Sequence, residues 1–266
     1  MDLSKIKMVV TDMDGTLLNS KHEVSPQFFQ LFKKLKENNI LFVAASGRQY
    51  HSIVDKLNTI KDDILVIAEN GAFVRNGTKE IIHTTLSREI ILQLLETVTK
   101  IDDTYPILCG KKKAYIKSGS GDFAKKFEEY YTAHETLDDL KSYEDEIFKI
   151  AIYHFENSEK YIYPKVKHLE DQLKVKVSGT NWLDLSHTNA HKGFALKKVQ
   201  EMYHISPAET MVFGDYNNDL EMLALADYSF AMKNAHPNVK AISNYETKSN
   251  DDFGVETILE QLISQL

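Results

Sequence analysis

The feature that most constrains this chain is a series of short, almost unbroken apolar runs alternating with helical patterns. Residues 6–10 lead into Thr11-Asp12, residues 40–45 into Ser46-Gly47-Arg48, and residues 64–68 into Glu69-Asn70-Gly71. Later, residues 210–213 end at Gly214-Asp215 and residues 228–232 at Lys233-Asn234. Between the first two runs, a helix is expected over residues 26–36. Ser25 is placed to cap it, Pro26 to occupy its first position, and Phe28, Leu31, Phe32 and Leu35 to form its apolar stripe. Runs without polar alternation suit strands buried on both faces, as in a parallel sheet covered by helices. Ligands of such sheets bind at the carboxyl ends of the strands. Asp12, Ser46, Asn70, Asp215 and Asn234 all fall at such ends.

The middle of the chain has a different rhythm. Helices are expected over residues 87–100, 122–131 and 159–173, with strands at 105–109, 114–117, 147–155, 175–178 and 182–185. This mixture indicates an α+β unit. The expected organisation is a Rossmann-like α/β core of residues 1–83 and 188–266, interrupted by an inserted α+β domain of residues 84–187.

Charge narrows the partners. The 266 residues carry 32 basic and 39 acidic side chains, a net charge of −7. Nucleic acids and anionic membranes reward a basic face, so neither is an expected partner. A small anionic substrate would then need local cations. The one cysteine, Cys109, excludes an intramolecular disulfide and a cysteine-based zinc cluster, and is expected to be a buried apolar residue. No run approaches the roughly 18 apolar residues of a membrane span, and residues 1–7 lack an apolar signal segment. A cytoplasmic location is expected, as a monomer or weak homodimer.

Two aspartates one residue apart, Asp12 and Asp14, just past a buried strand need a compensating charge. A hard cation such as Mg²⁺ supplies it and typically takes one or two carboxylates plus phosphate oxygens, with Asp215 a plausible third ligand. Taken singly, each residue has an ordinary alternative. Asp-x-Asp occurs in turns, Ser46 could cap a helix beginning near Gln49, Lys192 could be solvated, and residues 215–219 could be a plain turn. A calcium loop is rejected because Leu17 stands where glycine is required, and no Walker-type phosphate loop is present.

Four separated segments together say more. Residues 12–18 (Asp12-Met13-Asp14-Gly15-Thr16-Leu17-Leu18), Ala45-Ser46-Gly47-Arg48, Lys192-Gly193 and Gly214-Asp215-Tyr216-Asn217-Asn218-Asp219 resemble, in order, the four motifs of the haloacid dehalogenase (HAD) superfamily. The large insertion between the second and third motifs resembles the cap of the Cof-like, type IIB sugar-phosphatase branch.

The resemblance implies a Mg²⁺-dependent phosphatase acting on small phosphorylated metabolites, sugar phosphates above all. Asp12 would be the nucleophile, forming an aspartyl-phosphate, and Asp14 the general acid and then base. Ser46, Lys192 and Asn218, with the backbone at Met13 and Gly47, would hold the phosphoryl group. Asp12, the carbonyl of Asp14 and Asp215 would bind Mg²⁺, and Asp219 would order Asp215 or Lys192. The cap would carry substrate specificity. Alternatives that keep the same residues are a phosphosugar mutase and a non-catalytic sugar-phosphate-binding regulator. A dehalogenase would have no need of the metal set. Arg48 is expected to contact substrate or bridge core and cap, His191 to bond locally, and Lys111-Lys112-Lys113 to form a solvated turn.

Overall fold

The computed structural model describes residues 1–128, 131 and 133–266. They divide into two compact units, Met1–Ile82 with His191–Leu266, and His83–Ala190.

The chain opens with β1 (Met8–Asp12), buried along its whole length. In α1 (Pro26–Glu37) the Ser25 hydroxyl accepts from Phe28 N at 3.0 Å, which satisfies one of the helix's orphan N–H groups. Next come β2 (Leu41–Ala45), α2 (Tyr50–Lys56) and β3 (Leu65–Ala68), then β4 (Phe73–Asn76) and β5 (Lys79–His83). Within the insertion lie α3 (Arg88–Val98), β6 (Thr104–Gly110), β7 (Ala114–Lys117), α4 (Asp122–Glu128), β8 (His134–Leu137), β9 (Ile147–His154), α5 (Ser158–Tyr161), α6 (Tyr163–Val166), β10 (Lys174–Val177) and β11 (Trp182–Ser186). The first unit resumes with α7 (Lys192–Tyr203), β12 (Thr210–Gly214), α8 (Leu220–Leu223), β13 (Tyr228–Ala231), α9 (Pro237–Ile242), β14 (Tyr245–Glu246) and α10 (Gly254–Ile263).

In the first unit the sheet order is β14-β13-β12-β1-β2-β3-β4-β5. The pairs from β14 to β3 are parallel, while β4 runs antiparallel to β3. In-register pairing of Asp12 with Ala45 puts the ends of β1 and β2 side by side. Phe28 and Phe32 of α1 meet Phe42 of β2 with ring centroids 5.1 and 5.8 Å apart. Among the described residues, no helix is long and apolar enough to cross a membrane.

The second unit is a six-stranded sheet in the order β10-β11-β9-β6-β7-β8, antiparallel except for the β7/β8 pair. Its central strands send alternate side chains to two separate cores. Leu108, Ile150, Ile152, Leu183 and Leu185 pack with Ile91, Leu94 and Leu95 of α3. Ile107, Cys109, Ala151 and Tyr153 pack with Phe123 and Phe127 of α4. Cys109 is fully buried, as its composition role predicts. Lys113 pairs with Glu135 at 2.8 Å and Lys111 lies 3.7 Å from Glu146, so two of the three charges of the lysine turn meet acids of their own unit.

The expected helix over residues 159–173 is instead broken into α5, α6 and a single 3₁₀ turn at Lys167–Leu169. Pro164 explains the break: it has no N–H to donate and its ring clashes with the preceding turn. The helix expected over residues 122–131 ends at Glu128, and its continuation through residues 129 and 130 lies outside the described residues.

Phe28 is fully buried, so Phe28→Ala is expected to cost about 3–5 kcal/mol through lost transfer energy and an unfilled cavity. Urea unfolding checks this: the midpoint should fall with little change in slope, and an unmoved midpoint would refute the packing role of Phe28.

Candidate active site

The strand ends of the first unit gather the residues that the motifs single out. The centre is Lys192, the first residue of α7, fully buried. Its ammonium donates to Asp12 Oδ1 at 2.5 Å and to Asp219 Oδ1 at 2.7 Å. It is therefore no solvated lysine. The His191 ring before it caps α7, its Nδ1 lying 3.2 Å from Phe194 N. Burial opposes the lysine's charge, but the two carboxylates outweigh burial and hold its pKa above the ordinary value.

Asp219 serves both candidate partners at once. Oδ1 takes the Lys192 bond, and Oδ2 accepts from the backbone N–H groups of Asp215 and Tyr216 at 2.9 and 3.2 Å. The loop after β12 is thereby pinned to the lysine.

Asp12 Oδ2 is buried and has no hydrogen-bond partner. A buried anionic oxygen left without a partner is costly. Burial, together with Asp219 and Asp215, raises the Asp12 pKa well above the ordinary carboxyl value despite the pull of Lys192. Asp215 shows the same frustration: burial first, and Asp219 next, push it up to about 7. Carboxylate oxygens of Asp12, Asp215 and Asp219 lie within 4.8 Å of one another. Such a set could hold a hard divalent cation, which would relieve the crowding of negative charge. Asp219, however, already spends its oxygens on Lys192 and the backbone, so Asp12 and Asp215 are the better ligands.

The turn after β1 closes this cradle from below. Leu18 N donates to Met13 O at 2.8 Å, and Gly15 sits at φ +78°. Any side chain there would collide with the Asp215 carboxylate, which explains glycine at this position. Thr16 Oγ1 lies 3.4 Å from Asp215 Oδ1, and Asn234 Nδ2 donates to Gly15 O at 2.8 Å. The sequence places Asn234 at a strand end and Thr16 in the first motif, but neither contact has a local sequence signal.

Asp14 points elsewhere. Its Oδ2 accepts from Arg48 Nε and its Oδ1 from Arg48 Nη2, both at 2.6 Å, with His22 Nδ1 3.2 Å from Oδ1. Burial pulls the other way, yet the Arg48 guanidinium and His22 hold the Asp14 carboxyl below its usual range. Arg48 thus takes a third role, a fork on Asp14, beyond the two expected for it. The pairing had no sequence signal, because 34 residues separate the partners.

Ser46 does not cap α2. Its hydroxyl accepts from Arg48 N at 3.1 Å, while Gln49 occupies the cap position without a side-chain bond. Ser46 O–H remains available to donate. Gly47 lies under the Asn70 amide, where an added Cβ would come 3.0 Å from Asn70 Oδ1. Asn218 Nδ2 donates to that same oxygen at 3.1 Å.

A family model of haloacid dehalogenase-like hydrolases matches residues 9–259. The chain is 32% identical to a 5-amino-6-(5-phospho-D-ribitylamino)uracil phosphatase of Escherichia coli K12, over 97% of this chain and 96% of the relative. It is 26% identical to the phosphatase YwpJ of Bacillus subtilis 168, over 97% of this chain and all of the relative. Among solved structures, the Streptococcus mutans UA159 protein SMU.1108c superposes with a TM-score of 0.90 at 31% identity, over 97% and 99% of the two chains. The subclass IIB sugar phosphatase BT4131, at 20% identity and a TM-score of 0.82 over 96% and 98%, shares the fold. The chain belongs to the haloacid dehalogenase-like hydrolase family, and its relatives set it among that family's phosphatases.

The charge crowding has a measurable sign. Between the ordinary carboxyl value of 3.8 and about 7, folded Asp215 keeps a proton that the unfolded chain has released. Its contribution to stability therefore declines as pH rises through that window and is fully unfavourable above it. Cation-free protein is expected to lose thermal stability between pH 5 and pH 8 more steeply than Asp215→Asn does. Added Mg²⁺ is expected to raise the midpoint more at pH 8 than at pH 5. Parallel pH profiles for variant and wild type would refute the crowding.

Proposed function

We propose that this protein hydrolyses phosphate monoesters of small metabolites, sugar and polyol phosphates foremost, through an aspartyl-phosphate on Asp12. The observation that carries this reading is the split environment of Asp12: one oxygen held by buried Lys192, the other buried without a hydrogen-bond partner beside Asp215. Oδ2 attacks phosphorus in line as the bond to the leaving oxygen breaks, and Asp14, carrying the proton it took from water in the preceding turnover, delivers that proton to the leaving oxygen. Asp14 then takes a proton from water as it attacks phosphorus, which frees the Asp12 carboxylate and releases inorganic phosphate. The ionised Asp14 held by Arg48 is the form that serves this second step.

The other residues serve position and charge. Ser46 O–H, the backbone at Met13 and Gly47, Asn218 and the Lys192 ammonium would hold the phosphoryl oxygens, where preorganised donors act on developing charge. Asp12, Asp215 and the carbonyl of Asp14 would hold Mg²⁺. The cation supplies charge neutralisation between the attacking carboxylate and the phosphate dianion. The inserted unit would carry selectivity for the leaving group. The E. coli relative's named substrate, a phosphorylated ribityl compound, makes pentitol phosphates the first candidates.

Phosphate release from p-nitrophenyl phosphate and from a panel of phosphorylated sugars and polyols tests this. Asp12→Asn is expected to lower kcat by at least about a thousandfold, since it removes the nucleophile, and EDTA to abolish activity reversibly. Wild-type rates in Asp12→Asn would overturn the nucleophile. An isomerised sugar phosphate without net phosphate release would make the enzyme a mutase instead.

A further inference from the structure

The turn after β3 is conformationally unusual. Glu69, Asn70 and Gly71 follow one another at φ +50°, +54° and +102°. Gly71 needs this freedom, but for glutamate and asparagine the left-handed region is sparsely used, most seldom by glutamate. Such conformations persist where surrounding structure over-determines them and concentrate at functional sites.

The surroundings are specific. Asn70 N donates to Ser46 O and Glu69 N to Arg48 O, both at 3.0 Å, which ties the turn to the Ser46-Gly47-Arg48 loop. Gly71 is pressed against the carbonyl of His191, where an added Cβ would come 2.5 Å from the oxygen. The Asn70 amide covers Gly47 and receives Asn218 Nδ2. One strained turn thus touches the Ser46 loop, the start of the Lys192 helix and the Asp215–Asp219 loop.

We propose that Asn70 is a positioning residue of the phosphate cradle. By accepting from Asn218 Nδ2 and packing over Gly47, its amide orients two groups that meet the phosphoryl oxygens. This rests on the phosphatase reading above. A branched amide is what the place requires: asparagine tolerates positive φ and brings an acceptor, which glycine, the easier residue for this backbone, lacks.

Asn70→Gly separates the two properties, because it keeps the backbone conformation and deletes the amide. The probes are p-nitrophenyl phosphate turnover with Mg²⁺ and the shift in melting temperature on adding orthovanadate. Asn70→Gly is expected to raise KM and weaken vanadate about five- to tenfold, the size of one side-chain hydrogen bond, with a smaller change in kcat. Asn218→Ala should weaken vanadate in the wild-type background and less in the Asn70→Gly background, since an Asn218 no longer oriented by Asn70 meets the phosphoryl oxygens less well. Asn70→Asp keeps the acceptor and also tolerates positive φ, so in that background Asn218→Ala should again cost its full effect. This arm holds even where Asn70→Gly does not fold. Equal cost of Asn218→Ala in every background, wild-type vanadate affinity in folded Asn70→Gly, or a lost effect in Asn70→Asp would each overturn the proposal. Absence of Asp12-dependent turnover in the wild type would overturn the phosphatase reading itself, and is read separately.

Discussion

The ammonium of Lys192 is the interaction on which the rest of the site depends. A lysine with no exposed surface is tolerated because two carboxylates meet it from different segments, Asp12 at the end of β1 and Asp219 beyond β12. Buried ion pairs seldom add much stability, since desolvation offsets most of the Coulombic gain. What this one provides is register. Residues 12, 192 and 219 can share one point only when β1, α7 and the loop after β12 stand in their native relation. The backbone bonds from Asp215 and Tyr216 to Asp219 extend that register to the loop carrying Asp215.

The same arrangement leaves an imbalance. Three carboxylates and one ammonium occupy a buried space, and the surplus shows as raised carboxyl pKa values and an oxygen without a hydrogen bond. A protein that only needed stability would have neutralised these groups. Strain of this kind is tolerable where binding of a cation and a phosphoryl group relieves it. Asp14 is the contrast: two residues from Asp12, it is fully satisfied by Arg48 and His22.

Much of this was legible in sequence because parallel strands carry unbroken apolar runs whose ends are the binding edge. The strands through residues 12, 45, 68 and 214 announced themselves in that way. Elements whose signals are weaker escaped. β8 (His134–Leu137) is short and largely exposed, and β14 has two residues. The β4 and β5 strands are short, and their strongest local signal is the Asn76-Gly77 step where β4 ends, with Gly77 at φ +54°. Pro164 stands inside a helical pattern that it breaks. The Arg48 fork on Asp14 and the bond from Asn218 to Asn70 join residues far apart in sequence, and no local period encodes such pairs.

The path of the chain into and out of its insertion carries an evolutionary consequence. The chain leaves the first unit from β5, the outermost strand of its sheet, and returns at His191, one residue before Lys192. Among the described residues, the insertion lies outside the run of paired strands from β14 to β4. Residues 83–190 can therefore diverge, lengthen or be exchanged by recombination while β1, β2, β3 and β12 keep their register. Sequence change in that segment is thereby uncoupled, in topology, from the strands that end at Asp12, Ala45 and Gly214.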